Sequence, residues 1–471
     1  MMMKSAPHRL LYFTNNDSGR DVEMMLPVIY FAERFLNCTV STTLTTNIYE
    51  IARQRPDCVL LANTIGAKLH FHIAREAHRA GIPVFSLVSE GNFKTDGSFD
   101  HWGYNTAKEL YEDYICCWSE RTRDYLCQLL PNDTDRIKVT GGVGFDRYRI
   151  LDFEDRSSFL RRHGLDANKF SRIIGYAGWG FGKLAHPRGR SELLAYFNKD
   201  ADRLEWTEAQ RKALLEILNQ AILTHPETLF VLKKHPTETV AAEPGSDHNE
   251  MAALQDFPNV LYLKEDSIHD VMNVADLWWV YESTTALEAH LMGKQTLFIV
   301  PDPNFPRTKL HAGFAEARRF EEVNTMTEQF FRTGNLPEYN SPEKIKRREV
   351  IIKDSFGYDD GYNHIRAADY LRKTLNAPSS YSKKGFSIYY MLVYWTLKFL
   401  TPFYSPRIFL KLPWINRKLW VFDRYHLKNL PQLHSRYARC LERFYTKERI
   451  PEKMKAGTLF RDIWDPKETS S

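Results

Sequence analysis

Short apolar segments alternate with longer amphipathic segments along the first 150 or so residues of the chain. The apolar segments are RLLYFT (9–14), CVLLAN (58–63), IPVFSLV (82–88) and YICCWS (114–119). Between them, residues 20–36 and 67–80 repeat apolar positions at helical spacing. Such alternation is typical of parallel strands joined by helical crossovers. We therefore predict a doubly wound, Rossmann-like α/β domain over residues 1–148.

A segment rich in glycine and charged residues interrupts this alternation at residues 141–164. The alternation then resumes, with apolar segments at 172–177, 228–233, 259–263, 276–281 and 296–300. We predict an interdomain linker over residues 149–170 and a second Rossmann-like domain over residues 171–380.

The composition changes again in the predicted C-terminal extension, residues 381–471, where aromatic and apolar residues are interspersed with Lys and Arg. The apolar run 386–400 is too short to span a bilayer and contains Lys398. Two interpretations remain open for residues 381–430. They lie at an anionic membrane surface, with aromatic rings at headgroup depth, or they form an aromatic arm that packs over the other domains.

Charge and cysteine content exclude several classes of protein. The net charge of +5 is too small to indicate nucleic-acid binding by itself. The six cysteines form no CxxC pair, which favours reduced thiols and gives no indication of a zinc site. The N-terminus contains no apolar segment of signal-peptide length. We therefore expect a cytoplasmic protein, either free or peripheral at the inner face of the cell membrane, that does not bind nucleic acid.

The segment YESTTALE (281–288) contains hydroxyl residues where a predicted strand turns into a helix. Ser283 and Thr284 would present hydroxyls and backbone N–H groups at the positive end of the helix dipole, which favours phosphate. Glu288, one turn further on, can accept hydrogen bonds from ribose hydroxyls. The alternative is simple N-capping by Ser and Thr, with Glu288 facing solvent or pairing with the dipole.

The segment VLKKHP (231–236) ends a predicted strand with two cations and an imidazole. Lys234 and His235 would lie at the carboxyl edge of the sheet, where open α/β folds bind ligands. Pro236 stops the strand and favours an extended conformation at His235. The alternative is an ordinary surface histidine before a loop.

The segment GYAGWGFGK (175–183) is a glycine-rich turn that lacks the GxGxxG spacing of dinucleotide-binding proteins. Gly178 and Gly180 would still allow the backbone to approach a pyrophosphate or a sugar closely. A plain flexible loop is the alternative interpretation.

In the first domain, Glu90 of SLVSEGNF (86–93) follows a predicted strand and precedes a glycine. If a cleft separates the two domains, this carboxylate could take a proton from an acceptor hydroxyl as that hydroxyl attacks a sugar. The alternative is a solvated glutamate at a strand end.

Together these segments resemble the GT-B glycosyltransferases, in particular the surface carbohydrate biosynthesis proteins of bacteria, over about residues 10–375. VTGGVGFDRY (139–148) is similar to the segment that enters the linker in UDP-N-acetylglucosamine 2-epimerases and CDP-glycerol glycerophosphotransferases. KKHP and YESTTALEAHLMGKQTLFI resemble the His-Pro and Ser/Thr elements of those enzymes and of bacterial sialyl- and Kdo-transferases. The resemblance implies two Rossmann-like domains that face a cleft.

The resemblance also implies roles for individual residues. His235 would be a catalytic residue that contacts the donor phosphate or nucleotide. Ser283 and Thr284 would bind phosphate, and Glu288 would bind the ribose. Glu90 would match a catalytic carboxylate base, although SEG (89–91) has one acid where sialyl- and Kdo-type enzymes have two. Both CMP-nonulosonate or CMP-Kdo donors and NDP-hexose donors therefore remain open.

The function that follows is inverting transfer of a sugar from a nucleotide-sugar donor to a surface polysaccharide, a lipid-linked glycan or a protein-linked glycan. Because no DxD motif ends a strand, we expect neither a metal nor a further cofactor. Two alternatives remain: glycerophosphotransfer or nucleotide-sugar 2-epimerisation on the same fold, and a non-catalytic scaffold that binds a nucleotide sugar.

Overall fold

The structure is a computed structural model of the 471-residue chain. It describes residues 6–64, 68–89, 109–166, 168–197, 199–235, 248–304, 310–377, 386–403 and 427–465. The chain divides into two compact units. The first unit combines the described residues up to Leu151 with those from Lys353 onward, and the second consists of described residues within Asp152–Ile352.

The first unit contains a six-stranded parallel sheet with the strand order β2-β1-β3-β4-β5-β6. The strands are β1 His8–Thr14, β2 Cys38–Leu44, β3 Cys58–Leu61, β4 Val84–Leu87, β5 Tyr114–Cys117 and β6 Ile137–Val139. All four residues of β3 and all four of β4 are buried. Strands covered on both faces need continuous apolar runs, which explains segments such as CVLLAN.

The helices of the first unit come from both ends of the chain. The N-terminal part supplies Arg20–Phe35, Glu50–Gln54, Lys68–Arg79, Glu120–Leu129 and Arg147–Ile150, with short 3₁₀ turns at Thr134–Arg136 and Val143–Asp146. The C-terminal part supplies Asn363–Asn376, Ile388–Leu400, Leu430–Lys447, Ile450–Ala456 and Leu459–Trp464, with a 3₁₀ turn at Thr401–Phe403. No helix in the described part of the chain is both long and apolar enough to cross a bilayer.

The second unit contains another six-stranded parallel sheet, with the order β12-β11-β10-β7-β8-β9. The strands are β7 Arg172–Ala177, β8 Thr228–Lys233, β9 Val260–Leu263, β10 Leu277–Val280, β11 Thr296–Ile299 and β12 Ala315–Ala317. Its helices are Arg156–Arg162, Pro187–Tyr196, Asp202–Thr224, Ile268–Val274, Thr285–Leu291, Phe320–Thr333 and Pro342–Phe356, the last of which ends in the first unit. Short 3₁₀ turns lie at Phe181–Ala185, Ala252–Leu254 and Leu310–Gly313. The prediction of two doubly wound parallel domains is confirmed.

The chain passes from the first unit to the second after Leu151. Much of the expected linker, residues 149–170, belongs to the second unit from Asp152 onward. Its helix Arg156–Arg162 is attached there because Arg156 donates a hydrogen bond of 3.0 Å to Asp276. Charge and glycine content suggested a linker, whereas these charged side chains form specific ion pairs.

The chain returns to the first unit at Lys353. Helix Asn363–Asn376 packs against the helix Arg20–Phe35 and the strands β4 and β5. The Asp146 carboxylate accepts hydrogen bonds from the backbone N–H groups of Asn363 (3.2 Å) and His364 (2.7 Å). It also hydrogen-bonds to the ring nitrogen Nδ1 of His364 at 2.8 Å. This buried acid fastens a helix more than 200 residues later in sequence, which local patterns do not reveal.

Candidate functional site

The candidate site lies at the carboxyl edge of the second sheet. Strands β10, β7 and β8 are neighbours, and their last paired positions align Val280 with Ala177 and Ala177 with Lys233. Because the three strands are parallel, the segments that follow them begin side by side at the edge where such folds bind ligands. The structure thereby brings together three of the predicted segments, which contain Gly178 and Gly180, Lys234 and His235, and Ser283 and Thr284.

The turn after β7 is held close to the neighbouring strand. The backbone N–H of Gly178 donates a hydrogen bond of 3.0 Å to the carbonyl oxygen of Lys233. A Cβ atom at position 178 would overlap the terminal methyl of Met251 and lie 3.4 Å from Oε1 of Glu250. The backbone at Gly178 therefore passes close to two side chains, and a larger residue there requires Met251 to move.

A buried acid, Glu250, supports this turn. Its Oε1 accepts hydrogen bonds from the hydroxyl of Tyr176 (2.9 Å) and from the backbone N–H of Trp179 (3.4 Å), and Glu250 is 0% exposed. Glu250 could not be predicted from local sequence patterns, because its partners lie 74 and 71 residues earlier in the chain. Glu250 determines the path of the backbone between Tyr176 and Gly180.

Lys233, the last residue of β8, and Lys234, which follows it, are both buried. Lys233 Nζ donates to the carbonyl oxygens of Lys234 (3.1 Å) and Lys264 (2.8 Å), which ties the end of β8 to the end of β9. Burial lowers the pKa of Lys233, although the nearby carboxylates of Asp266 and Glu265 act in the opposite direction. Lys234 is only 5% exposed, whereas His235 is partly exposed. Of these three side chains, His235 is the most accessible to a ligand.

The loop after β10 has an unusual backbone and a local network of hydrogen bonds. Glu282 has a φ of 47°, in the left-handed region that non-glycine residues seldom adopt. The Ser283 hydroxyl oxygen accepts the backbone N–H (3.3 Å) and the hydroxyl (3.0 Å) of Thr285, and Trp278 Nε1 donates to the same Thr285 hydroxyl at 3.2 Å. These bonds lie directly before and within the first turn of the seven-residue helix Thr285–Leu291, whose N-cap residue is Thr284. Phosphate binding by Ser283 and Thr284 stays a prediction.

The carboxylate of Glu288 faces a histidine. Oε2 of Glu288 lies 3.9 Å from Nδ1 of His269, which is in the first turn of helix Ile268–Val274. The rings of Phe153 and His269 are 5.8 Å apart. His269 is not among the residues predicted from the sequence, although its position soon after β9 in LKEDSIHD (263–270) is a usable signal. Glu288 and His269 together form a polar pair near the candidate site.

Aromatic rings join the turns after β7 and β10. The rings of Trp179 and Phe181 are 4.9 Å apart, and those of Phe181 and Tyr281 stack at 5.4 Å with 24° between their planes. All three residues are less than 10% exposed. This packing holds the two turns in a fixed relation, so that a ligand there meets a preformed surface.

The predicted base Glu90 lies outside the described residues, and its role stays a prediction. Ser89, directly before it, is buried after the end of β4. Among the described residues, no group of three or more metal-ligating side chains is present.

Comparisons with known proteins identify the fold. No protein-family model and no curated protein sequence matches the chain. A proposed UDP-N-acetylglucosamine 2-epimerase from Listeria monocytogenes matches with a TM-score of 0.52 and 14% identity, over 81% of this chain and 100% of that chain. A further UDP-N-acetylglucosamine 2-epimerase matches with a TM-score of 0.51 and 12% identity, over 80% of this chain and 99% of that one.

The chain has the GT-B fold. Two Rossmann-like units with six parallel strands each, and a C-terminal helix that returns to the first unit, form this architecture. At 12–14% identity the likeness establishes the fold and does not separate the narrower families within it. The carboxyl edge of the second sheet of this GT-B protein is therefore the place to look for a ligand.

Proposed function

We propose that this GT-B protein binds a nucleotide-activated sugar at the carboxyl edge of β10, β7 and β8. The observation that supports this most directly is the convergence of three predicted binding segments at that single edge. In the proposed site His235 contacts the donor phosphate, Ser283 and Thr284 offer hydroxyl and N–H groups to it, and Glu288 accepts hydrogen bonds from the ribose. Gly178 and Gly180 let the backbone approach the donor.

We further propose that the protein transfers the sugar to a hydroxyl of a glycan or lipid-linked acceptor. Glu90 takes the proton of that hydroxyl while its oxygen forms a bond to the anomeric carbon of the donor. The bond between that carbon and the phosphate oxygen breaks, and the nucleotide leaves with the electron pair. Lys234, His235 and the backbone N–H groups stabilise the negative charge on the leaving phosphate. A direct displacement of this kind inverts the anomeric configuration.

Nucleotide-sugar 2-epimerisation is the second candidate. Both solved structures described above carry that name, and they support a nucleotide sugar as the ligand. An epimerase converts its donor without an acceptor, whereas a transferase releases nucleotide only when an acceptor is present. Since the Listeria protein corresponds to 81% of this chain, residues beyond the shared fold remain that could bind an acceptor.

The first experiment measures nucleotide binding by thermal shift, with UDP, GDP, dTDP, CMP and CDP added in turn. A ligand that binds only the folded state raises the melting temperature, so that one nucleotide should stand apart. His235→Ala should reduce this shift. His434→Ala, a partly exposed histidine of the first unit, is the matched control and should not. No shift with any nucleotide would contradict the proposed donor site.

The second experiment distinguishes the reactions. The sugar nucleotide that matches the bound base is incubated with and without glycan or lipid-linked acceptors. Nucleotide release that requires an acceptor supports transfer, and an epimerised donor without acceptor supports epimerisation. A donor that binds but is never converted supports the alternative of a non-catalytic scaffold that binds a nucleotide sugar. Activity that persists after treatment with a chelator is expected, because the proposed chemistry needs no metal.

A further inference from the structure

The helix Ile388–Leu400 is attached to the first unit through one of its faces. Tyr390, together with Phe386 just before the helix, packs against the buried core that contains Leu11 and Val59. Tyr394 is only 4% exposed, and its ring lies 5.6 Å from that of Tyr49. This face is therefore part of the folded unit, as the packed-arm interpretation expects.

A polar contact reinforces the attachment. The hydroxyl of Tyr394 hydrogen-bonds to the carboxylate of Glu50. Burial raises the pKa of Glu50, but the hydrogen bonds from Arg53, Gln54 and Tyr394 outweigh burial and lower it overall. A charged acid held in this way fixes the rotation of the helix about its own axis, and so determines which side chains point outward.

The opposite face is apolar and exposed to solvent. Ile388, Leu392, Trp395 and Phe399 are 69%, 59%, 51% and 68% exposed, and their spacing of four, three and four residues places them in one row, here called the apolar stripe. Tyr389 (66%) and Leu400 (42%) widen it. A contiguous exposed apolar surface of this kind indicates an interaction site.

The length of the helix and its charges indicate which partner covers the apolar stripe. Thirteen residues extend about 20 Å, less than the roughly 30 Å hydrocarbon core of a bilayer, so the helix can lie in the interface but cannot cross. Residues 383–418 contain seven Lys and Arg residues and no Asp or Glu. The ammonium of Lys398 lies 5.3 Å from the ring centre of Trp395, at the edge of the stripe. Aromatic rings beside cations suit a surface of anionic headgroups.

A second copy of the chain fits this surface less well. A two-fold symmetric dimer through the apolar stripe would bring the Lys398 ammonium groups of both copies to one interface. Like charges brought together in this way oppose association. An anionic bilayer instead supplies both the apolar layer and the opposite charge.

We propose that the apolar stripe inserts into the interface of an anionic membrane while Tyr390 and Tyr394 hold the first unit to the same helix. The membrane-surface interpretation and the packed-arm interpretation then apply to opposite faces of the helix Ile388–Leu400. The proposal does not rest on the chemistry proposed for the second unit. It places the first unit at the membrane surface, where a lipid-linked acceptor would be found.

The test is co-sedimentation of the full-length protein with vesicles of phosphatidylcholine, with and without phosphatidylglycerol. The protein should bind the vesicles that contain phosphatidylglycerol, and added salt should weaken binding. The variant L392S/W395S/F399S should bind at least about tenfold more weakly, because three large apolar side chains no longer enter the interface. The matched control L223S/I345S/V350S removes three exposed apolar side chains of the second unit and should bind like the unmodified protein.

Three results would overturn the proposal. They are the absence of vesicle binding by the unmodified protein, equal binding by the stripe variant, and equal loss of binding in the control variant. Light scattering after size-exclusion chromatography tests whether a second copy of the chain, rather than a membrane, covers the apolar stripe. A dimer that the stripe substitutions convert to a monomer, without vesicle binding, would identify a second copy as the partner. Nucleotide thermal shifts on the same samples are independent of these outcomes, so this proposal and the donor-site proposal can fail separately.

Discussion

The hydroxyl of Tyr176 donates a hydrogen bond of 2.9 Å to the buried carboxylate of Glu250. The oxygen of Glu250 that accepts this bond, Oε1, also accepts a hydrogen bond of 3.4 Å from the backbone N–H of Trp179. One acid thus connects the end of β7 with the turn that contains Gly178 and Gly180. If that turn contacts the donor, Glu250 is a positioning residue for the candidate site.

Replacing this acid should affect both stability and binding. We expect Glu250→Ala to lower the free energy of unfolding by about 2–3 kcal/mol, because two buried donors lose their acceptor. Nucleotide affinity should fall as well, since the turn is no longer held. Glu250→Gln keeps an acceptor oxygen and should therefore retain much of the stability and much of the nucleotide affinity. Urea unfolding and nucleotide thermal shift measure the two effects, and an unchanged stability in Glu250→Ala would disprove the supporting role.

Two glycines of the same strand and turn should respond differently to alanine. At Gly178 the added methyl meets the flexible end of Met251, so Gly178→Ala should cost little stability but weaken nucleotide binding if the backbone contacts the donor. At Gly175 it meets the buried ring of Trp278, and Gly175→Ala should cost about 1–3 kcal/mol. Chemical denaturation and nucleotide titration distinguish the two. Unchanged affinity in Gly178→Ala would argue against close backbone approach.

The proposed base can be tested without a structural description of its surroundings. Glu90→Gln should lower turnover by about 100-fold or more while leaving the nucleotide thermal shift unchanged, because proton transfer is lost and donor binding is not. Glu120→Gln replaces an exposed acid of the same unit and serves as control. Acceptor-dependent nucleotide release is the assay, and full turnover in Glu90→Gln would exclude this residue as the base.

The stability of the second unit should depend on pH through Glu316. Its carboxylate lies 3.3 Å from His311 and 2.8 Å from Lys344. Burial raises the pKa of Glu316, but hydrogen bonds from His311 and Lys344 outweigh burial and lower it from 4.5 to about 2. A lowered acid pKa stabilises the folded state above 4.5, and this contribution disappears as the pH falls from 4.5 towards 2.

Substitution of Glu316 should remove this dependence of stability on pH. Glu316→Gln should lower the free energy of unfolding by about 1–2 kcal/mol at neutral pH, and the difference from the unmodified protein should shrink through that acidic interval. Urea unfolding across the pH range measures both. Glu322→Gln, a partly exposed acid whose pair with Arg319 is more open to solvent than the Glu316 pairs, is the control and should change stability less. If the free energies of unfolding of Glu316→Gln and the unmodified protein differed by the same amount at all pH values, Glu316 would not be the source of the pH dependence.

The candidate binding segments were accessible from the sequence because each follows its own strand. Lys234, His235, Ser283 and Thr284 are marked by the change from an apolar run to polar residues, and parallel strands place such changes at one edge. Glu250 was not accessible in this way, and His269 was marked only by its position soon after β9. Their interactions join residues far apart in sequence, and no local pattern records that Glu250 meets Tyr176 or that His269 faces Glu288.

Hydrophobic periodicity by itself determined the two doubly wound units, because a strand buried on both faces must be apolar throughout. It did not determine the strand order, nor the return of the chain to the first unit at Lys353, which depends on contacts such as Asp146 with His364. The sequence likewise showed an aromatic, basic C-terminal segment but not its orientation. Only the packing of Tyr390 and Tyr394 decided which face of that helix is buried and which apolar side chains meet solvent.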